Sequence, residues 1–324
     1  MDSSRQAQRI AAGSLVILAV VVSCAPLDRQ VERTSRSYSA YMKGLLTDRA
    51  GTFHEAVVHY RAAQKLDQKS VDPRFQLGLD YIGLKDYKRA VDEFQAILRL
   101  EPLNDDARYV LAFVYAQLGD YKKAAEQYEI LLVRAASLQQ QTQLRRILSQ
   151  LYFLAGNDKA AERHTQKILQ INPLDTDALY FMGLLSSETA RTEDAVAYFQ
   201  KVLEYDPQDS DAANSLAFMY AEEGRHLNQA LDLAEKVVRD EPSNGAYLDT
   251  LGWIYFKLGD IDKAVLYLEK AAKLLVDPAI FNHLAEAYEA RLDKTKARRA
   301  LQTSFSLDPS QKDVRKKLDA YLKH

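Results

Sequence analysis

Cysteine occurs once in the 324 residues, at Cys24, so no disulfide within one chain can staple the fold. Excess charge is lacking too. The formal net charge is −2 with both signs interspersed, which argues against a nucleic-acid binder carrying a basic stripe. Only one long apolar run exists, Ile10 to Val22, and its 13 residues fall short of the roughly 20 that a membrane-spanning helix needs. Signatures of catalysis are missing as well. The chain has no HExxH, no GxSxG elbow and no GxxxxGK[ST] loop, and none of the histidines His54, His59, His164, His226, His283 and His324 pairs at i, i+4. Neither a metal nor a cofactor is therefore expected, and an enzyme is not. What remains is 47% hydrophobic and 27% charged, a composition too apolar for disorder.

At the N-terminus, Arg5 and Arg9 precede the apolar run, and Cys24 follows it directly. A run of 13 fits the apolar centre of an export signal, with an uncleaved membrane anchor as the alternative. A cut after Ala25 would leave Pro26 at the new terminus, a poor substrate for the ordinary signal peptidase. Val21-Val22-Ser23-Cys24 instead resembles the lipobox of bacterial lipoproteins. That resemblance implies a signal peptide over 1–23, acylation of the Cys24 thiol and cleavage just before it. It also implies attachment to the outer membrane facing the periplasm, because Ala25 rather than Asp follows the cysteine. A chance cysteine inside a signal peptide is the other reading. Residues 24–36 then form the lipidated cysteine and a short polar tether.

Beyond the tether the chain repeats. Ala56, Ala90, Ala124, Ala161, Ala195, Ala230, Ala264 and Ala297 recur at intervals of 34, 34, 37, 34, 35, 34 and 33. A small residue recurs ahead of each: Gly44, Gly78, Ala112, Ser149, Gly183, Ala217, Gly252 and Ala285. Tyr81, Tyr115, Tyr152, Tyr220, Tyr255 and Tyr288 share one position, and Tyr60, Phe94, Tyr128 and Phe199 another; both sets read as core. Pro102, Pro173, Pro207 and Pro242 end the second helices, and Asn104, Asp175, Asp209 and Asn244 stand ready as N-caps two residues later. Gly119, Gly156, Gly224 and Gly259 close first helices.

Eight copies at this period, the cleanest being LGLDYIGLKDYKRAVDEFQAILRLEP, resemble the tetratricopeptide repeat. The resemblance implies an all-α, right-handed α-solenoid of about eight helical hairpins plus a C-terminal capping helix. The units run over about 37–70, 71–104, 105–138, 142–175, 176–209, 210–244, 245–277 and 278–309. Residues 310–324 cap the array; a basic amphipathic helix lying on a membrane is the alternative. The long interval places three extra residues around 135–143, read as a looser joint.

In such arrays the first helices line a groove for a peptide or a partner's helix. Carried over, that groove presents Tyr41, Phe75, Leu79, Tyr109, Phe113, Arg146, Phe153, Tyr180, Leu184, Asn214, Phe218, Trp253, Phe256 and Lys257. Trp253 and Phe256 are the expected hot spots: truncating either should weaken partner capture and leave the helical signal intact. The equivalents of the family's carboxylate clamp are mostly aromatic or aliphatic here, so a C-terminal carboxylate is not the expected ligand. The alternative is that half of these residues pack between repeats. The resemblance implies a lipid-anchored periplasmic scaffold that binds a protein of an envelope assembly or secretion system; a further copy of the chain is another partner considered. A glycan-binding component of an export machine, and a regulator or subunit of an enzyme on another chain, are the alternatives.

Overall fold

The computed structural model describes residues 29–321, and the assignments made above to the signal peptide and Cys24 lie outside them. Among the described residues there are seventeen helices and no strand. The chain divides into two compact units, residues 1–164 and 165–324.

The first unit contains α1 (29–49), α2 (Phe53–Leu66), α3 (Asp72–Gly83), α4 (Tyr87–Leu100), α5 (Asp105–Gln117), α6 (Tyr121–Arg134), α7 (Leu138–Leu154) and the start of α8 (Asp158–Ile171). The second contains the rest of α8, then α9 (Thr176–Glu188), α10 (Thr192–Tyr205), α11 (Ser210–Glu223), α12 (Leu227–Asp240), α13 (Gly245–Lys257), α14 (Ile261–Leu274), α15 (Pro278–Ala290), α16 (Lys294–Leu307) and α17 (Lys312–Tyr321). Within each unit, odd-numbered first helices pack on even-numbered second helices, and each hairpin stacks on the next.

The repeated residue types explain the hairpin. A Cβ added at Gly78 would lie 2.7 Å from the Phe94 ring, and one at Gly183 would lie 2.5 Å from the Phe199 ring. The small position is thus where the second helix presses its largest side chain against the first. The caps act as expected: Asn104 Oδ1 accepts from the Ala107 amide at 2.9 Å, and Asp209 Oδ1 from the Ala212 amide at 2.8 Å.

A second layer of order joins neighbouring hairpins. Four buried first-helix tyrosines at one repeated position keep their hydroxyls paired with a polar side chain on the preceding second helix. Gln95 donates to Tyr115 Oη (2.7 Å), Gln200 donates to Tyr220 Oη (2.8 Å), and Tyr255 and Tyr288 donate to Glu235 (2.7 Å) and Glu269 (2.6 Å). Burial and the adjacent carboxylate raise the Tyr255 and Tyr288 hydroxyls above the ordinary phenol range, so both remain donors. Tyr321 on α17 donates to Glu289 of the first helix α15 at 2.7 Å, and Val314 is buried, with Leu318 packed beside it. The C-terminal helix is therefore a cap.

Two sequence expectations need correction. Residues 29–36, assigned to the tether, are helical and continue into α1. The joint at 135–143 is not loose either: only 135–137 are non-helical, and the extra residues lengthen α7 to 17 residues. Ser137 accepts from the Gln140 amide while Gln140 Oε1 accepts from the Ala136 amide, which holds that start much as a capping box does.

The closing position of the first helices is left-handed, with φ +75° at Gly119 and +85° at Gly259. Lys85, Ala190 and Leu292 adopt the same conformation (φ 57°, 57° and 66°) with a Cβ that disfavours it. Leu292→Gly should therefore raise stability by about 0.5–1 kcal/mol, the left-handed penalty less the entropy cost of glycine. Thermal denaturation of the variant against wild type checks this.

Candidate functional site

The first helices of the second unit carry one dense cluster. On α13, Trp253 and Phe256 are one turn apart and their rings stack, with centroids 4.8 Å apart and planes 6° apart. From α15, the His283 imidazole stacks on the indole at 4.2 Å and 19°. Phe218 of α11 approaches His283 at 6.2 Å, although α13 separates the two helices in sequence. Four rings from three successive first helices thus form one continuous assembly.

Charged groups fix its edges. Trp253 Nε1 donates to Glu222 Oε1 of α11 at 2.6 Å. His283 Nδ1 lies 3.0 Å from both oxygens of Asp249, which holds the imidazole in one orientation. The Lys257 ammonium sits 4.7 Å from the indole centroid, a cation–π contact. The indole Nε1 and the imidazole Nδ1 therefore each have a carboxylate partner that fixes the ring's orientation. No group of three His, Cys, Asp or Glu side chains that could hold a metal occurs among the described residues.

Thirteen of the fourteen residues expected along the groove divide into three sets, and Trp253 stands apart. Tyr41, Phe75, Tyr109 and Tyr180 share one position and lean on the large aromatic of their own hairpin: Tyr60 at 5.9 Å, Phe94 at 5.4 Å, Tyr128 at 5.3 Å and Phe199 at 5.6 Å. Their first duty is packing, although Tyr109 keeps 43% exposure. Leu79 and Phe113 of the first unit are open to solvent, while Arg146 and Phe153 on α7 are half-buried. In the second unit Leu184, Asn214, Phe218, Phe256 and Lys257 are half-buried, and the Asn214 Oδ1 has no hydrogen-bond partner.

Trp253 is the correction. It is 5% exposed, clasped between Phe256 and His283, and so supports the surface rather than forming it. Phe218, Phe256, Lys257 and His283 are half-buried and keep part of their surface open to solvent.

Sequence reasoning missed Glu222, Asp249 and His283. The signal was spacing. Side chains about one repeat apart meet across adjacent first helices, as Tyr180 meets Ser215, Asp211 meets Tyr247 and Asp249 meets His283. A search for complementary polar pairs at separations of 31–36 would have found them.

This is an α-helical repeat protein with a cluster of aromatic side chains on its first helices. Comparison with known proteins agrees. A family model described as tetratricopeptide repeat matches residues 75–139, 114–176 and 182–247, more than half the chain, and a second model of the same description matches 245–275. The chain belongs to the tetratricopeptide repeat family, whose members bind protein partners.

A stretch of 155 residues is 24% identical to "TPR repeat-containing protein PA4667" of Pseudomonas aeruginosa, covering 47% of this chain and 26% of that one. The chain thus spans about a quarter of that relative's length. Among solved structures, a tetratricopeptide repeat protein from Parabacteroides merdae superposes with a TM-score of 0.65 at 18% identity, covering 78% of this chain and 98% of its own. TTC0263, a thermophilic TPR protein of Thermus thermophilus, gives 0.50 at 23% identity, covering 56% and 100%. These likenesses concern the fold alone.

Proposed function

We propose that this chain is a lipid-anchored, non-catalytic scaffold of a bacterial envelope, moored through Cys24, that grips a protein segment on the first-helix face of its second unit. The observation that carries the partner site is the ring assembly of Phe218, Trp253, Phe256 and His283. Aromatic side chains held rigid before binding lose little entropy on binding, which is what hot spots require. The accessible members are apolar rings beside one ammonium, a surface suited to an extended or helical segment with apolar anchors and a nearby carboxylate.

The mooring is supported by the lipobox resemblance of Val21-Val22-Ser23-Cys24 at the end of the apolar run. The service is assembly or export of an envelope system, with the partner bound in stoichiometric amount.

Two experiments test the two halves. Phe256→Ala combined with Lys257→Ala should weaken partner co-purification at least tenfold and leave the helical circular dichroism unchanged. Undiminished co-purification would remove the site. Radiolabelled palmitate should enter the wild type and not Cys24→Ser; label retained by the variant would remove the mooring.

A further inference from the structure

The two ends of the repeat series are finished differently. At the C-terminus, α17 lays Val314, Leu318 and Tyr321 onto the last hairpin and turns its charged residues outward. Among the described residues the first helix has no such cover. Val31, Tyr38, Met42 and Leu46 of α1 are 61, 64, 39 and 64% exposed, and their spacing of seven, four and four residues sets them along one stripe.

Comparison within the fold shows what this stripe is. Leu46 stands two residues after the small position Gly44. The equivalent residue is buried in each of the seven later first helices, with Val114, Leu185 and Ile254 at 0% exposure. Within each unit, successive hairpins pack against one another, second helix on the next first helix. On α1 an apolar side chain occupies a stacking position with no hairpin before it among the described residues.

We infer that the exposed stripe of α1 rests on an anionic lipid bilayer. Charge and chain position choose this occupant. Residues 29–49 carry five basic side chains and two acidic ones, and one of the two, Asp48, is turned toward the buried Asp80 of α3. A basic helix with an apolar stripe suits a bilayer surface carrying negative headgroups. A second copy of α1 fits worse: antiparallel pairing sets Arg29, Arg33 and Arg36 against Lys43 and Arg49. The inference rests on the mooring proposed above. Cys24 lies five residues before α1, a reach of at most about 18 Å, so acylation there would hold the stripe at the membrane. The anchor and the stripe then act as two signals for one surface, and together they would orient the first unit on it.

The test separates this from the mooring. The full chain with Cys24→Ser and Met42→Cys is labelled at residue 42 with an environment-sensitive fluorophore and mixed with vesicles of phosphatidylethanolamine and phosphatidylglycerol in a 7:3 ratio. The label should shift to the blue. The shift should be lost with pure phosphatidylcholine and weakened at least tenfold in vesicle titration by Tyr38→Ser with Leu46→Asp. A label at Tyr109→Cys should not respond. No shift at residue 42 overturns the inference, even if the chain floats with the vesicles, because residues 1–23 alone would then account for flotation. A shift that grows with protein concentration without vesicles also overturns it and gives the stripe to a second copy. Neither result bears on palmitate labelling, which reports the mooring alone.

Discussion

Trp253→Ala is expected to lower the stability of the second unit by about 3–5 kcal/mol, the range for emptying a buried aromatic site. The indole fills the space between Phe256 and His283, and its loss leaves a cavity lined by two stacked rings with nothing between them. It also strips Glu222 of its hydrogen bond and Lys257 of its ring contact. Chemical denaturation followed by circular dichroism measures this directly, and a midpoint within 1 kcal/mol of wild type would contradict the packing described. The consequence for binding studies is concrete. Lost partner binding in Trp253→Ala would report a damaged scaffold, so Phe256 and Lys257, both half-buried at the surface of the same cluster, are the informative positions.

The second large effect is a pH dependence centred on Asp80. This residue is 3% exposed on α3, at the position where the later first helices bury Val114, Leu151 or Ile254. Its carboxyl is raised to about 7, first by burial and then by the charge and hydrogen bond of Asp48. Between the unfolded value near 4 and this value near 7, the folded chain binds a proton that the unfolded chain has released. Stability from this pair is therefore present below about pH 4, falls as pH rises through that window, and is flat above it. A shift of this size corresponds to on the order of 2–4 kcal/mol.

Asp80→Asn removes the titration and can still hydrogen-bond Asp48. The variant should be more stable than wild type at pH 8 by about 2 kcal/mol, with the advantage vanishing toward pH 4. His164 acts in the opposite direction. It is buried, and its desolvation outweighs the nearby Glu129 to lower its pKa, so its contribution is lost as pH falls below the unfolded value near 6.5. The wild-type profile is therefore a composite, and the difference between Asp80→Asn and wild type isolates the carboxyl pair. A difference independent of pH would contradict the assignment.

The hairpins were legible because the constraint that makes them is local and repeated. A second helix can approach only where the first carries glycine, alanine or serine, so Gly78, Gly183 and Gly252 announce the crossing before any coordinate is known. Caps such as Asn104 and Asp209 are equally local. The length of α1 was not legible, because residues 29–36 stabilise the helix through contacts sequence pattern does not show: Arg33 Nε donates to the Leu66 carbonyl 33 residues away. The groove was legible as a set of positions but not as a surface. Period alone assigns Trp253 and Phe256 to the same face, and only the arrival of His283 from the next hairpin decides that one is covered and the other open. Asp80 escaped notice because a charged residue in a helix usually faces solvent, and its burial depends on the neighbouring α1.

The most direct test of the partner site is photo-crosslinking in intact cells from three positions, with a benzophenone amino acid replacing Phe218, Phe256 or Leu266. Phe218 and Phe256 belong to the ring assembly on first helices, whereas Leu266 is 48% exposed on the second helix α14. The same discrete protein adduct should form from residues 218 and 256, and none from 266. Equal adducts from all three, or adducts from 266 alone, would contradict a scaffold that works through its first-helix face.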